Sequence, residues 1–200
     1  MDRKSFATTY AAEIMNIYHA DGITIERHEE GNTISFQMKN EMDDMGVITI
    51  VPLLAEEYRV YDTRSMSIQH KNGLYVSWIE IKEPYQRKGH ATLLLLYALC
   101  TLYSELDYSL EFISLEDATD NQLDMDTNIY NKLGFTHKGY VEINNSKTKL
   151  IGRVNADGAK STTFDHLFTV IQNKQRKQRK GSMHRTNRKG GTRRKRRTRR

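Results

Sequence analysis

A single cysteine, Cys100, excludes an internal disulfide and makes a reducing compartment the expectation. Long apolar runs are missing too. The longest uncharged apolar stretch, Ala91 to Tyr103, falls short of the roughly 18 residues of a membrane span. The N-terminal MDRKSFATTY has neither the apolar core of a signal peptide nor a glycine at position two for myristoylation. An intracellular protein, cytoplasmic or nuclear, is therefore expected.

Acids are absent from the last stretch. Residues 174–200 hold 15 of the 31 Lys and Arg and no Asp or Glu. Residues 1–173 therefore carry 16 bases against all 25 acids, so a net of +6 joins a body of −9 to a tail of +15. The 38% hydrophobic share supports a core, which excludes wholesale disorder. A length of 200 residues fits one domain, since domains cluster at about 100–200.

Phe6, Tyr10, Ile14 and Ile17 recur at helical steps, so Ser5 to His19 reads as an amphipathic helix ended by Asp21-Gly22. Short alternating or β-branched runs follow: Ile23–Arg27, Thr33–Met38, Val47–Val51 and Tyr58–Ile68. Asn72-Gly73 is a hairpin signal leading into a strand, Leu74 to Ile81, which Pro84 stops. A helix apolar nearly all round runs from His90 to Tyr103, and Leu110–Leu115 reads as the next strand. Strand, helix, strand predicts a parallel crossover.

A polar stretch from Glu116 precedes a helix to Leu133, with Gly134 as a left-handed cap and Phe135 folding back on the last turn. Strands Phe135–Ile143 and Lys149–Val154 flank Asn144-Asn145. Phe164, Leu167, Phe168 and Ile171 mark a helix over Thr162–Asn173, and the basic remainder is expected to be disordered. The expected organisation is a domain over 1–155, a linker and amphipathic helix over 156–173, and a polybasic tail over 174–200.

Chemistry concentrates in the segment from Ile79 to Ala91. A strand feeding a loop that opens a helix presents unpaired backbone N–H groups at the positive end of the helix dipole, an anion site. The small residues Gly89 and Ala91 let a diphosphate approach the backbone, and Arg87 and Lys88 add charge. The alternative is an ordinary strand-to-helix turn. A nucleotide P-loop fits worse, for want of a Gly-Lys-Ser/Thr ending.

Here the chain resembles the GNAT superfamily of acetyl-CoA-dependent N-acyltransferases. Its loop signature, Gln/Arg-x-x-Gly-x-Gly/Ala, is matched by Gln86, Gly89 and Ala91, approached through Pro84 and Tyr85. A second segment, Leu-Tyr-x-Lys-x-Gly-Phe, is matched by Ile129 to Phe135. The resemblance spans residues 5–155 and is densest from Leu74 to Phe135. Where the family often places Asn and a small residue ahead of the tyrosine, this chain has Leu123 and Asp126, with Asn121 and Asn128 off register.

The resemblance implies an α/β (α+β) fold: one GNAT-like domain, a mixed central sheet flanked by helices, and a disordered basic C-terminal tail. It implies acetyl-CoA as co-substrate, no metal, and direct attack by a primary amine of an unidentified acceptor. Backbone groups of Ile79 and Ile81 would pair with the pantetheine arm as an added strand. Gln86, Arg87, Lys88, Gly89, His90, Ala91 and Thr92 would hold the diphosphate, and Asn128 would contact the cofactor. Tyr130 is the candidate acid that meets the departing thiolate, since a phenol titrates near 10 and a thiol near 8.5.

Glu80, half-buried in a cleft, is the candidate base, with Glu83 nearby; a solvated surface glutamate is the alternative for each. His90 packs or meets phosphate rather than catalysing, and Cys100 reads as core. Asp117, Asp120, Asp124 and Asp126 fail the calcium-loop spacing and read as a solvated acidic rim.

The tail, ending Gly-Gly-Thr-Arg-Arg-Lys-Arg-Arg-Thr-Arg-Arg, reads as a flexible polycation that binds nucleic-acid phosphates without reading sequence. Nuclear import and virion packaging use the same charge, and the pattern is similar to tails on proteins of large DNA viruses. The alternative function is a GNAT-fold protein without turnover, working through this tail.

Overall fold

The computed structural model describes residues 2–55, 60–62, 67–69, 71–107, 109–119, 126–137 and 159–189. Helix α1 (Arg3–Ala20) starts on Asp2, whose carboxylate accepts from the Ser5 amide at 2.9 Å. It ends at Gly22 (φ 69°), with the Ile23 amide reaching back to the Tyr18 carbonyl at 2.8 Å. Its buried face is Ala7, Ala11, Ile14 and Tyr18, one residue round from the expected stripe. Phe6 and Tyr10 flank this face, and Ile17 is exposed.

Strands β1 (Thr24–Glu30), β2 (Thr33–Lys39) and β3 (Asp44–Leu53) form the antiparallel meander. The expected strand over Tyr58–Ile68 is two short ones, β4 (Val60–Asp62) and β5 (Ser67–Gln69), paired only with each other. β6 (Gly73–Ile81) returns antiparallel to β3, and α2 (His90–Glu105) crosses over to β7 (Phe112–Glu116), parallel to β6. Then come α3 (Ile129–Lys132), β8 (Thr136–His137), β9 (Ala159–Thr163) and α4 (Phe164–Lys189). The seven-stranded sheet has the order β1-β2-β3-β6-β7-β9-β8. This is the mixed sheet flanked by helices that the resemblance implies.

Four further features depart from the sequence-based expectations. Asn72-Gly73 is not a hairpin turn, because β5 and β6 do not pair. Asn72 instead ties loops together: its side chain accepts from Ala55 N at 2.7 Å and donates to Ser109 O at 3.2 Å. Second, the helix before Gly134 is a single turn.

Third, β9, with the sequence Ala-Lys-Ser-Thr-Thr, falls in the expected linker, yet it is an interior strand between β7 and β8, so the domain passes residue 155. Paired edges on both sides override its polar composition. Fourth, α4 does not stop at Asn173 but continues to Lys189, correcting the expectation of disorder for that part. Lys, Arg and Gln propagate readily from a turn already nucleated by Phe164, Leu167, Phe168 and Ile171. The tail beyond Lys189 and the Lys149–Val154 strand lie outside the described residues.

The core is one cluster. Leu94, Leu95, Ala98, Leu99 and Leu102 of α2 meet Ile48, Ile50, Leu74 and Val76 of the sheet together with Ile14 and Tyr18 of α1. α4 closes it with Phe168 edge-on to Phe6 (5.4 Å) and Tyr103 (4.9 Å). Cys100 is buried here and its thiol is pushed up to about 12 by burial, as a core residue requires. Among the described residues no helix is long and apolar enough to cross a membrane.

Close packing at the start of β6 is directly testable. A Cβ on Gly73 would stand 2.5 Å from Cε1 of the buried Phe112 ring. Gly73→Ala should lower the urea unfolding free energy by about 1–3 kcal/mol, the usual range for overpacking. An unchanged midpoint would show that the ring moves aside freely.

Candidate active site

The site begins with a parity change in β6. Val76 pairs with Ile50 but Trp78 pairs with Thr49, which leaves Ser77 as an extra residue, a β-bulge. Leu74 and Val76 face the core before it, and Ile79 and Ile81 after it. Trp78 and Glu80 consequently turn to solvent. The sequence carries this phase change, since apolar positions 74 and 76 give way to 79 and 81.

β6 pairs with β7 only over Gly73–Val76, against Phe112–Leu115. Beyond that, among the described residues, β6 pairs only with β3. The Lys82 amide donates to the Met45 carbonyl at 2.9 Å, which sets the alternation of the antiparallel ladder. Trp78 and Glu80 therefore bond towards β3, and the backbone groups of Ile79 and Ile81 point to the opposite, open edge. Gln86 Nε2 takes up the Ile81 carbonyl at 2.8 Å, so the Gln86 side chain folds the loop onto the strand end.

That loop leads into α2 through a one-turn 3-10 segment, Glu83–Tyr85, and two left-handed residues, Arg87 (φ 61°) and Gly89 (φ 87°). A non-glycine in this region is strained, and such strain collects at functional sites. Gly89 is the residue before the first helical turn and brings no side-chain cap. A Cβ there would meet nothing within 4 Å, so the space before the loop is open. The amides of His90, Ala91 and Thr92 have no intrahelical acceptor by their position. Arg87 and Lys88 are exposed, and the Lys88 ammonium lies 5.6 Å from the Tyr85 ring centre. Tyr85 in turn donates to Asp43 at 2.6 Å, tying the loop to the β2–β3 turn.

Tyr130 lies on the single turn of α3. Its own carbonyl accepts from the Phe135 amide at 3.0 Å while Gly134 is left-handed (φ 85°), and Phe135 packs edge-on to its ring at 6.1 Å. This is the fold-back expected from the sequence. Burial first, and then the negative charge of Asp117, push the phenol up to about 12, so it stays protonated at neutral pH.

Beneath it is a buried polar cluster. Asp117 and Lys160 form an ion pair with both side chains fully buried. Asn128 donates to Asp117 Oδ2 at 2.8 Å and accepts from Lys160 at 3.3 Å. Thr119 donates through its amide (3.0 Å) and hydroxyl (2.5 Å) to Asp117 Oδ1. Asn128 also caps α3, accepting from the Tyr130 and Asn131 amides at 3.0 Å each.

Three expectations change. Asn128 is buried and committed to this cluster, so its side chain holds α3 rather than a cofactor. Asp117 is interior rather than part of a solvated rim; of the other three acids, Asp126 is exposed, and Asp120 and Asp124 lie outside the described residues. Glu80 is exposed instead of half-buried, because the bulge turns it outwards, where it accepts from Trp78 Nε1 at 3.4 Å. Glu83 is exposed as well.

His90 stacks on Tyr18 (6.2 Å) with a buried Nδ1 that has no hydrogen-bond partner, and burial together with Lys88 lowers its pKa. Its ring packs on Tyr18, and the downward shift favours the neutral imidazole. No group of three or more His, Cys, Asp or Glu among the described residues is placed to hold a metal. Sequence patterns do not single out Lys160, which sits in a polar segment with no periodicity to mark it.

Asp117 is held below the usual carboxylate range. Burial opposes this, but the bonds from Lys160, Thr119 and Asn128 outweigh burial. A depressed carboxylate contributes stability that is complete above its unfolded pKa near 3.9 and is lost as pH falls through the lower folded value. The unfolding free energies of wild type and Asp117→Asn should therefore differ most from pH 5 to 7 and converge below pH 4. Urea midpoints across that range check it, and a gap independent of pH would refute it.

No protein-family model matches the chain, nor does any curated protein sequence. Solved structures do match. A mutant of the AtaT toxin superposes with a TM-score of 0.51 at 10% identity, covering 76% of this chain and 94% of that one. A mutant AtaT toxin bound to the C-terminus of the antitoxin AtaR and to acetyl-CoA gives 0.50 at 11% identity, over 76% of this chain and 99% of that one. At such identities the likeness concerns the backbone. The chain shares its fold with these toxin structures, and that fold is a single GNAT-like domain.

Proposed function

We propose that the chain is an N-acetyltransferase that moves the acetyl group of acetyl-CoA directly to a primary amine. The observation that carries this reading is the opening of the sheet. Among the described residues no strand pairs with the edge of β6 at Ile79 and Ile81, where only the Ile81 carbonyl is taken up by Gln86, and the Gln86–Thr92 loop and the start of α2 follow that edge at its carboxyl end. Crevices at the carboxyl ends of parallel strands are where open α/β sheets take ligands.

The residues fit the cofactor. The backbone groups of Ile79 and the amide of Ile81 suit an added strand such as a pantetheine arm. The amides of His90, Ala91 and Thr92, with the charges of Arg87 and Lys88, suit a diphosphate beside the open space at Gly89. When bound, acetyl-CoA supplies a thioester whose carbonyl carbon is attacked by the amine nitrogen, with cleavage of the C–S bond. Tyr130, protonated at neutral pH, donates a hydrogen bond to the sulfur as the C–S bond breaks, and the second proton that the nitrogen sheds on becoming an amide goes to the departing thiolate. The attacking nitrogen must first lose a proton, and our candidate for accepting it, directly or through water, is Glu80, exposed on the same strand. The acidic body favours a cationic acceptor.

Thiol release from acetyl-CoA, measured against a panel of peptides, polyamines and small amines, tests the reaction. Acetyl-CoA should also raise the melting temperature, and Gly89→Asp should abolish that shift by setting a negative side chain against the diphosphate. A full shift in the variant would move the cofactor elsewhere. Cofactor binding with no thiol release to any amine would favour the alternative, a GNAT-fold protein without turnover.

The basic segment supports a nucleic-acid partner. Eight of its 15 Lys and Arg fall within the helical stretch to Lys189, so about half the charge is carried on an arm continuous with α4. Engaging six to ten phosphates would cost about 10³–10⁵ in affinity between 50 and 200 mM salt. Truncation after Asn173 should abolish DNA and RNA binding in filter or gel-shift assays. Retained, salt-insensitive binding would place the surface on the body.

A further inference from the structure

The buried charges beneath Tyr130 have no part in the transfer just described. Buried ion pairs are weak stabilisers and are often replaceable by apolar residues without loss. A pair kept fully buried beside a functional side chain therefore calls for a role other than stability. Its members come from far apart: Asp117 follows β7, Asn128 starts α3, and Lys160 lies in β9. α3 itself is one turn long and too short to hold its own orientation in water. What fixes Tyr130 is thus largely what fixes Asn128, and the ammonium of Lys160 stands 6.0 Å from the Tyr130 ring centre.

We propose that the Asp117–Lys160 pair is a positioning device for Tyr130. Through Asn128 it locks the first turn of α3 to the carboxyl end of β7 and so fixes the orientation of Tyr130. The inference rests on the acetyl-transfer reading, which defines the task of the phenol. The bonds divide the work. Lys160 and Asp117 neutralise each other, Asp117 and Lys160 together orient the Asn128 amide, and the Asn128 oxygen receives the amides of Tyr130 and Asn131. Asp117, Lys160 and Asn128 are positioning residues, since none of them meets the reacting atoms.

The test uses the full chain carrying 3-fluorotyrosine, with the residue-130 fluorine resonance identified by its loss in Tyr130→Phe. The double variant Asp117→Asn/Lys160→Met removes both charges and strands neither. Asn128→Ser keeps a helix cap while cutting the link to the pair, and it supplies the same readings if the double variant does not fold. The expected result is a fall in kcat of about 10–100-fold, the scale of a misplaced catalytic group, with KM for acetyl-CoA unchanged and the resonance shifted or broadened. An unmoved resonance overturns the proposal whatever happens to kcat. If wild type acetylates no amine, or Tyr130→Phe turns over like wild type, the acetyl-transfer reading falls, and the resonance alone then decides the positioning claim.

Discussion

Backbone hydrogen bonding between β6 and β7 lasts four residues, and the rest of the molecule is arranged around where it stops. A parallel pair needs a crossover, and α2 supplies one that is apolar on nearly every side because sheet, α1 and α4 all press on it. The extra residue at Ser77 then bends and twists β6 and changes which face its side chains take. Ile79 and Ile81 remain anchored in the core by their side chains while their backbone groups face the open edge. A continuous ladder would have satisfied those groups and left no crevice.

The loop after β6 exploits the same end of the sheet. Its shape depends on Gln86 holding the Ile81 carbonyl, on two left-handed residues, and on Tyr85 tethered to Asp43. None of these contacts consumes the amides of the first turn of α2. The proposed anion site would thus be built from backbone groups, with the exposed charges of Arg87 and Lys88 beside it.

The candidate site is partly legible in the amino-acid sequence. The loop residues 86–91 and the Tyr130 segment carry spacing that only a few backbone geometries satisfy: a glycine where φ is positive, a tyrosine about one turn before the helix-ending glycine, and an aromatic closing the turn. Asp117, Lys160 and the true role of Asn128 are not legible there. Single polar residues carry no periodicity, and their meaning arises only when three distant segments converge. The exposure of Glu80 escapes sequence patterns for a related reason, since burial of an alternate strand residue depends on whether anything covers that face.

What the sequence determined by itself was local: the helix of α2, the meander, the crossover order, the left-handed glycines and the acidic body set apart from the basic end. These follow from periodicity, backbone stereochemistry and charge counting, which act over a few residues. The tertiary structure alone decided that β9 enters the sheet, that Asn72-Gly73 is a tether and not a hairpin, and that Asp117 meets Lys160 in the interior. Each of these depends on pairing between segments tens of residues apart, where the energy of burying and satisfying polar groups outweighs any local preference.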